Sequence, residues 1–186
     1  MSAAVRKEAL LETALRMARE DGAGALTLAR LADACGLSKP IAYQHFGTLT
    51  GLLRAMAERV GAEYEDTVRA VMAGHRETGT APEGALRALC ATYVTCTLEN
   101  GALHADVCAA LVAAGEPAQT VYGDDAARYC PLVAELIDAD PRTAYALTVA
   151  FLGAADRLCE AVLAKRLGQD EAVTVLMRLF LLPDRS

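Results

Sequence analysis

Tryptophan is absent from this sequence, and β-branched residues seldom alternate with polar ones. Without that alternation, no segment is predicted to form a half-buried β-strand. Alanine and leucine dominate instead, and hydrophobic residues make up 54% of the chain. This composition favours helices throughout. A length of 186 residues suits one or two small domains with a real hydrophobic core.

Long hydrophobic runs are also missing. The longest uncharged runs, 40–53 and 143–155, are shorter than the roughly 18–20 apolar residues that a membrane span needs. The N-terminal segment places Arg6, Lys7 and Glu8 among apolar residues, which is typical of an amphipathic helix and not of a signal peptide. We therefore expect a cytoplasmic protein that does not interact with membranes.

Signatures of catalysis are not found. The sequence has no phosphate-binding glycine loop, no nucleophile elbow and no helical H-E-x-x-H motif. His75 and His104 with Asp106 do not form the dense cluster that a metal site needs. We predict that the protein is not an enzyme and that it holds neither a metal nor a cofactor.

Six cysteines are scattered without a C-x-x-C pair, at positions Cys35, Cys90, Cys96, Cys108, Cys130 and Cys159. In a cytoplasmic chain such cysteines are most simply reduced thiols that serve as small core residues. A redox-sensing role for some of them is the alternative.

The net charge of −6 conceals an uneven distribution. Residues 1–60 hold eight basic and six acidic side chains, whereas residues 61–186 hold ten basic and eighteen acidic ones. A mildly basic N-terminal part attached to an acidic remainder suits a protein that meets phosphate only at its N-terminus.

Helical periodicity and turn residues divide the chain into short segments. Thr27, Ser38 and Thr48 are predicted N-caps, and Asn100-Gly101 is predicted to break a helix. The expected helices are 5–21, a short helix after Thr27, a third after Ser38, a fourth from Thr48 to near Gly74, then 82–99, 103–114, 117–138, 141–167 and 170–181, with a loop at 75–84.

The segment 27–53 carries the clearest functional pattern. Two short helices meet around Gly36, which permits a left-handed turn, and Ala32 is small enough for the helices to approach closely. A helix-turn-helix needs this geometry, because its second helix must be held rigidly to enter a major groove. That helix is rich in hydrogen-bonding groups, namely Lys39, Tyr43, Gln44 and His45.

Several short motifs follow one another in a specific order along this part of the chain. They are Gly22, Thr27-x-x-x-Leu31-Ala32, Gly36-Leu37-Ser38-Lys39-Pro40 and Tyr43-x-His45-Phe46. Over residues 10–56 the sequence resembles the DNA-binding head of TetR-family (tetracycline-repressor-like) regulators. The remainder is similar only in length and helix pattern. The resemblance implies an all-α fold, with a helix-turn-helix DNA-binding domain at 1–47 and an effector-binding and dimerisation domain at 48–186.

The resemblance also implies a DNA-contact surface. Lys39, Tyr43 and His45 would contact the DNA backbone, and Lys39 or Gln44 could reach a base edge. Tyr43 as a core anchor and His45 as a capping residue are the alternatives. The full candidate set is Thr27, Ser38, Lys39, Pro40, Ile41, Tyr43, Gln44 and His45.

Two positions depart from the family pattern. Many members have a phosphate-contacting lysine at the place of Leu49. At positions 41 and 42 a common order in the family is a small polar residue followed by a large apolar one, whereas here Ile41 is followed by Ala42. Ile41 would then face a thymine methyl group or repack the domain.

Two further sites follow from the same resemblance. The last two long helices would pair with those of a second copy through Ala146, Ala150, Gly153, Ala154, Val173, Leu176, Met177 and Phe180, with packing inside one chain as the alternative. A small-molecule effector would contact polarisable or aromatic residues in apolar surroundings, for which the candidates are Tyr93, Cys96, Cys108, Tyr122, Cys130 and Phe151.

These features predict a homodimeric repressor that a small-molecule effector releases from its double-stranded DNA operator. The alternative is a dimeric helical interaction protein or redox sensor with altered DNA binding.

Overall fold

A computed structural model describes residues 2–79, 81–123 and 125–181. These residues form nine α-helices and a short 3-10 helix (Ala23–Ala25), and the described residues include no strand. The all-helical fold class predicted from composition is therefore confirmed. The helices are α1 Ala3–Asp21, α2 Leu28–Ala34, α3 Lys39–Phe46, α4 Leu49–Thr78, α5 Pro82–Ala113, α6 Ala118–Tyr122, α7 Asp125–Ile137, α8 Pro141–Leu163 and α9 Gln169–Phe180.

The chain forms two compact units. The first, which we call the head, comprises Met1–Glu63 and Asn100–Gly123, and the second, the body, comprises Tyr64–Glu99 and Asp124–Ser186. This division differs from the predicted boundary between residues 47 and 48. The reason is packing, because Leu103, Val107 and Leu111 of α5 are buried in the same core as the N-terminal helices.

The head core is built mainly from aliphatic side chains. Leu10 and Ala14 of α1 are fully buried, as are Leu31 of α2 and Met56 of α4. Burial of a leucine or methionine side chain contributes about 1.5–3 kcal/mol. This core fixes the position of α3, the helix on which the candidate site lies.

The body has two neighbouring core clusters. In the larger one, the first half of α5 meets α8 and α9 around Cys90, Phe151 and Leu176. In the smaller one, Val68 and Met72 of α4 pack with Leu89 and other side chains. No helix in the described part of the chain is long and apolar enough to cross a membrane.

Several helix ends differ from the sequence prediction. The break predicted at Asn100-Gly101 does not occur, and α5 continues to Ala113. A glycine inside a helix costs about 1 kcal/mol relative to alanine, and the burial of Leu103 and Val107 just beyond it more than offsets that cost. The single helix predicted at 117–138 is interrupted at Gly123, where φ is +59°.

Candidate nucleic-acid interface

The turn between α2 and α3 is a tight hydrogen-bonded motif. Gly36 adopts φ +64°, a left-handed conformation that glycine reaches without steric penalty. The Leu37 N–H donates to the Ala32 carbonyl at 2.9 Å, and the Gly36 N–H donates to the Asp33 carbonyl at 3.1 Å. This pair of bonds is the Schellman arrangement, which satisfies the last carbonyls of α2. The predicted helix-turn-helix is therefore present.

The helix α3 is held from its buried side. Ala42 is fully buried and Phe46 is 8% exposed, and both belong to the head core. Immediately after α3, the Thr48 hydroxyl accepts the N–H of Gly51 at 3.0 Å, so Thr48 caps α4 as predicted. A side chain at position 51 would collide with the Phe46 carbonyl oxygen. The close approach of α4 to the end of α3 thus requires Gly51. No sequence motif indicated this requirement.

The opposite side of α3 faces solvent. Lys39 and Tyr43 lie four residues apart, as do Pro40 and Gln44, and all four are exposed. Residues at this spacing share one helix face. Tyr43 is 52% exposed, so in the free chain it is not a core anchor.

The remaining candidates lie around this face. Thr27 and Ser38 are exposed, whereas Ile41 and His45 are half-buried. Thr27 caps α2 by accepting the Arg30 N–H at 3.1 Å, which confirms the predicted N-cap. Ser38 occupies the cap position of α3 without a side-chain cap hydrogen bond. The Nε2 atom of His45 is buried and has no hydrogen-bond partner among the described residues.

Most cations of the head are already engaged. Arg30 pairs with Asp21 at 2.7 Å, Arg54 pairs with Glu116 at 2.6 Å, and Arg59 pairs with Glu8 and Glu63. Within the described part of the chain, Lys39 forms no ion pair. Its ammonium group stands at the first turn of α3, where the helix dipole also favours an anion.

The two departures from the family pattern have structural consequences. Leu49 is half-buried and packs against the head core, so it serves as a packing residue at this position. The inverted pair places the small Ala42 inside the core and leaves Ile41 half-buried at its surface. Part of the Ile41 side chain is therefore accessible to a partner molecule.

Contacts from the C-terminal half of α5 brace the head. The Asp106 carboxylate accepts the N–H of Ala23 at 2.5 Å, at the start of the 3-10 helix that leads into α2. Arg19 donates to the Asn100 side chain at 3.2 Å. No local sequence pattern indicates these contacts, because the partners are more than 80 residues apart.

The predicted effector residues lie in different units. Cys108 belongs to the head and is buried, and its Sγ atom lies 3.7 Å from the Nε2 atom of His104. Tyr122 also belongs to the head. Phe151 lines a small body cavity, beside Tyr64, Tyr129 and Thr148. Tyr93 lies next to Phe151. Cys96 and Cys130 are half-buried residues of the body.

The predicted dimer residues divide into two groups. Val173, Leu176, Met177 and Phe180 are buried in the body core. These four side chains are already covered in the single chain, as the alternative of packing inside one chain expects. On α8, by contrast, Ala146, Ala150 and Gly153 are exposed and Ala154 is half-buried.

A helix-turn-helix whose second helix has an exposed polar face, with a cation on that face that forms no ion pair among the described residues, is the architecture of helix-turn-helix DNA-binding proteins. Residues 10–56 match the family model described as bacterial regulatory proteins, tetR family. No curated protein sequence matches the chain.

Solved structures share this fold along nearly the whole chain. A TetR-like transcriptional regulator from Rhodococcus sp. RHA1 is 19% identical, with 97% of this chain and 96% of that chain covered and a TM-score of 0.68. A TetR/AcrR-family regulator from Thermobifida fusca is 23% identical, with coverages of 97% and 99% and the same TM-score of 0.68. The multidrug binding protein EbrR, solved with imidazole, is 21% identical with 97% of each chain covered and a TM-score of 0.64.

Residues 10–56 therefore match the N-terminal part of tetR-family regulators, and the chain as a whole shares the fold of these solved structures.

Proposed function

We propose that this protein is a homodimeric repressor that leaves its operator when a small molecule binds in the body. The observation that carries the proposal is the exposed face of α3, on which Lys39, Tyr43 and Gln44 stand opposite the buried anchors Ala42 and Phe46. Lys39 and Tyr43 would contact phosphates, and Gln44 would reach a base edge in the major groove.

Dimerisation is supported by the exposed face of α8. Val149 and Tyr145 are 48% and 41% exposed, and the small Ala146, Ala150 and Gly153 follow at helical spacing on that side. Small residues let two helices approach closely. A dimer would present two recognition helices to two half-sites, which raises affinity far above that of one short helix.

Effector control is supported by the continuity of α4. This helix begins three residues after α3 ends and contributes Tyr64 and Val68 to the body cavity. A ligand that separates these side chains would act on the helix that follows the recognition helix. A preference for the non-binding arrangement by about 1–3 kcal/mol would change operator affinity roughly 5- to 150-fold.

The redox alternative receives less support from the body cysteines. Burial raises the pKa of the Cys90 thiol to about 12 and also raises the pKa of the Cys159 thiol. Both therefore remain protonated at neutral pH, and the protonated form is a poor nucleophile.

The test is a mobility-shift assay with the DNA upstream of the protein's own gene, in excess nonspecific competitor. We expect a specific complex that a small molecule dissociates, and we expect the same response after Cys90, Cys96, Cys108, Cys130 and Cys159 are replaced by alanine. Absence of any specific complex would contradict the proposed function. Loss of the response in this five-cysteine variant would favour redox sensing.

A further inference from the structure

Aromatic residues of the body form one continuous cluster. Tyr64 contacts Tyr93 and Tyr129 edge to face, with ring centroids 5.6 and 5.4 Å apart. Tyr93 continues to Phe151 at 5.1 Å, and Phe151 continues to Phe180 at 5.4 Å. The whole sequence holds only six tyrosines and three phenylalanines, so more than half of its aromatic residues lie in this aromatic cluster. The concentration points to a recognition surface in a core that is otherwise aliphatic.

The aromatic cluster borders the body cavity. Tyr64, Tyr129 and Phe151 line it together with Val68 and Thr148, and its volume is about 20 Å³. This volume holds about one water molecule, so an organic ligand must push the lining side chains apart. Thr148 is buried and donates its hydroxyl proton to the Ala144 carbonyl at 2.7 Å. Its oxygen therefore offers the cavity a lone pair.

The charges nearest the aromatic cluster are predominantly negative. Tyr93 donates its hydroxyl proton to Asp156 at 3.2 Å, and Asp156 forms no ion pair among the described residues. The cation next to Tyr129 is Arg128, whose charge is offset by its ion pair with Glu65 at 2.9 Å. Over its whole sequence, the body carries ten basic and fifteen acidic residues.

The tyrosines of the aromatic cluster are neutral phenols. Burial raises the pKa of Tyr64, Tyr93 and Tyr129, and the negative charge of Asp125 acts in the same direction on all three. For Tyr129 the pKa reaches about 12. A phenol that keeps its proton presents an electron-rich ring face without a formal charge.

We propose that the aromatic cluster binds an apolar organic cation, a quaternary ammonium or protonated amine attached to a hydrocarbon group. Ring faces attract cations within about 6 Å, most strongly where water is excluded. The Asp156 carboxylate adds a negative charge behind Tyr93, and Val68 receives the hydrocarbon part. The same carboxylate would repel an anionic ligand. This inference rests on the proposed function, because it names the chemical class of the effector.

The test compares benzyltrimethylammonium with its neutral isostere, neopentylbenzene. Each probe is titrated into the full-length protein without DNA, and binding is followed by calorimetry. The two probes have nearly the same shape, so a difference in affinity reports the charge. We expect the cation to bind about 5- to 30-fold more tightly. Equal or tighter binding of the neutral probe, or no binding of either, would overturn the proposal.

A matched pair of variants tests whether the Asp156 charge is responsible for the tighter binding of the cation. Asp156→Asn keeps an oxygen that accepts the Tyr93 hydroxyl proton but removes the charge. Glu83→Gln removes a charge at an exposed position of α5, ten residues before Tyr93, where the carboxylate forms no ion pair among the described residues. Because Asp156 is exposed and its charge partly screened, we expect Asp156→Asn to weaken cation binding about threefold and to leave the neutral probe unchanged. Glu83→Gln should change neither affinity. Equal weakening of both probes by Asp156→Asn would show a purely structural role and contradict the proposal.

The titrations contain no DNA, so their result is independent of operator binding. Failure of the cation to bind would remove the assigned ligand class and leave the operator complex intact. Failure to bind any operator would remove the proposed function and leave the titration result standing.

Discussion

At the scale of single residues, the head depends on backbone positions that favour glycine. Gly36 provides the left-handed turn between α2 and α3. Gly51 lets the first turn of α4 pass directly beside the Phe46 carbonyl. Both glycines lie next to α3, so the orientation of this helix depends on them.

Gly51→Ala should destabilise the protein by about 1–3 kcal/mol, because the new methyl group has no space and the backbone must shift. Gly61→Ala is the matched control on the same helix. A methyl group there meets nothing within 4 Å, and alanine should stabilise the helix by up to about 1 kcal/mol. Urea unfolding of both variants measures the difference. Equal stability of the two would show that the passage beside Phe46 is not tight.

At the scale of helices, local signals predicted the head better than the body. Thr27, Gly36 and Thr48 act through bonds within a few residues, so their roles are visible in the sequence. The continuation of α5 past Asn100-Gly101 depends on burial of Leu103 and Val107 against residues far away in the chain.

The candidate sites, too, could be predicted from the sequence only where local signals determine them. The exposed face of α3 follows from helical spacing once Ala42 and Phe46 are known to be buried. The apolar stripe of α9 fits the body core and a dimer interface equally well as a sequence pattern, and the structure places Leu176 and its neighbours in the core. Tyr64 and Tyr129 were missed as cavity residues, because only the fold brings α4 and α7 together.

The exposed face of α8 yields a prediction about assembly. Ala150→Glu places a charge on that face without disturbing the single chain, since Ala150 is exposed. We expect a folded monomer with weakened operator binding. Ala70→Glu, at an exposed position of α4, is the control and should stay dimeric. Light scattering and circular dichroism provide the measurements, and a stable Ala150→Glu dimer would place the interface elsewhere.

At the scale of the whole molecule, the positive net charge of the N-terminal part disappears when the charges of the whole head are counted. Residues 1–60 carry a net charge of +2, but the head as a compact unit also contains Glu63, Asp106 and Glu116 and has eight basic and nine acidic residues. Net charge therefore does not distinguish the head as a DNA-binding unit. If the proposed function holds, attraction to phosphate comes from local groups, above all Lys39 of α3, which forms no ion pair among the described residues.

The most direct test of the account is the salt dependence of operator binding by Lys39→Gln. Lys165→Gln, which removes the same charge at an exposed position after α8, is the control. Each phosphate contact contributes about 0.9 to the slope of log affinity against log salt. A dimer that loses one contact per head should show a slope less steep by about 1.8, with weaker binding, and the control should match the parent. An unchanged slope and affinity in Lys39→Gln would contradict the claim that α3 of this protein contacts DNA through Lys39.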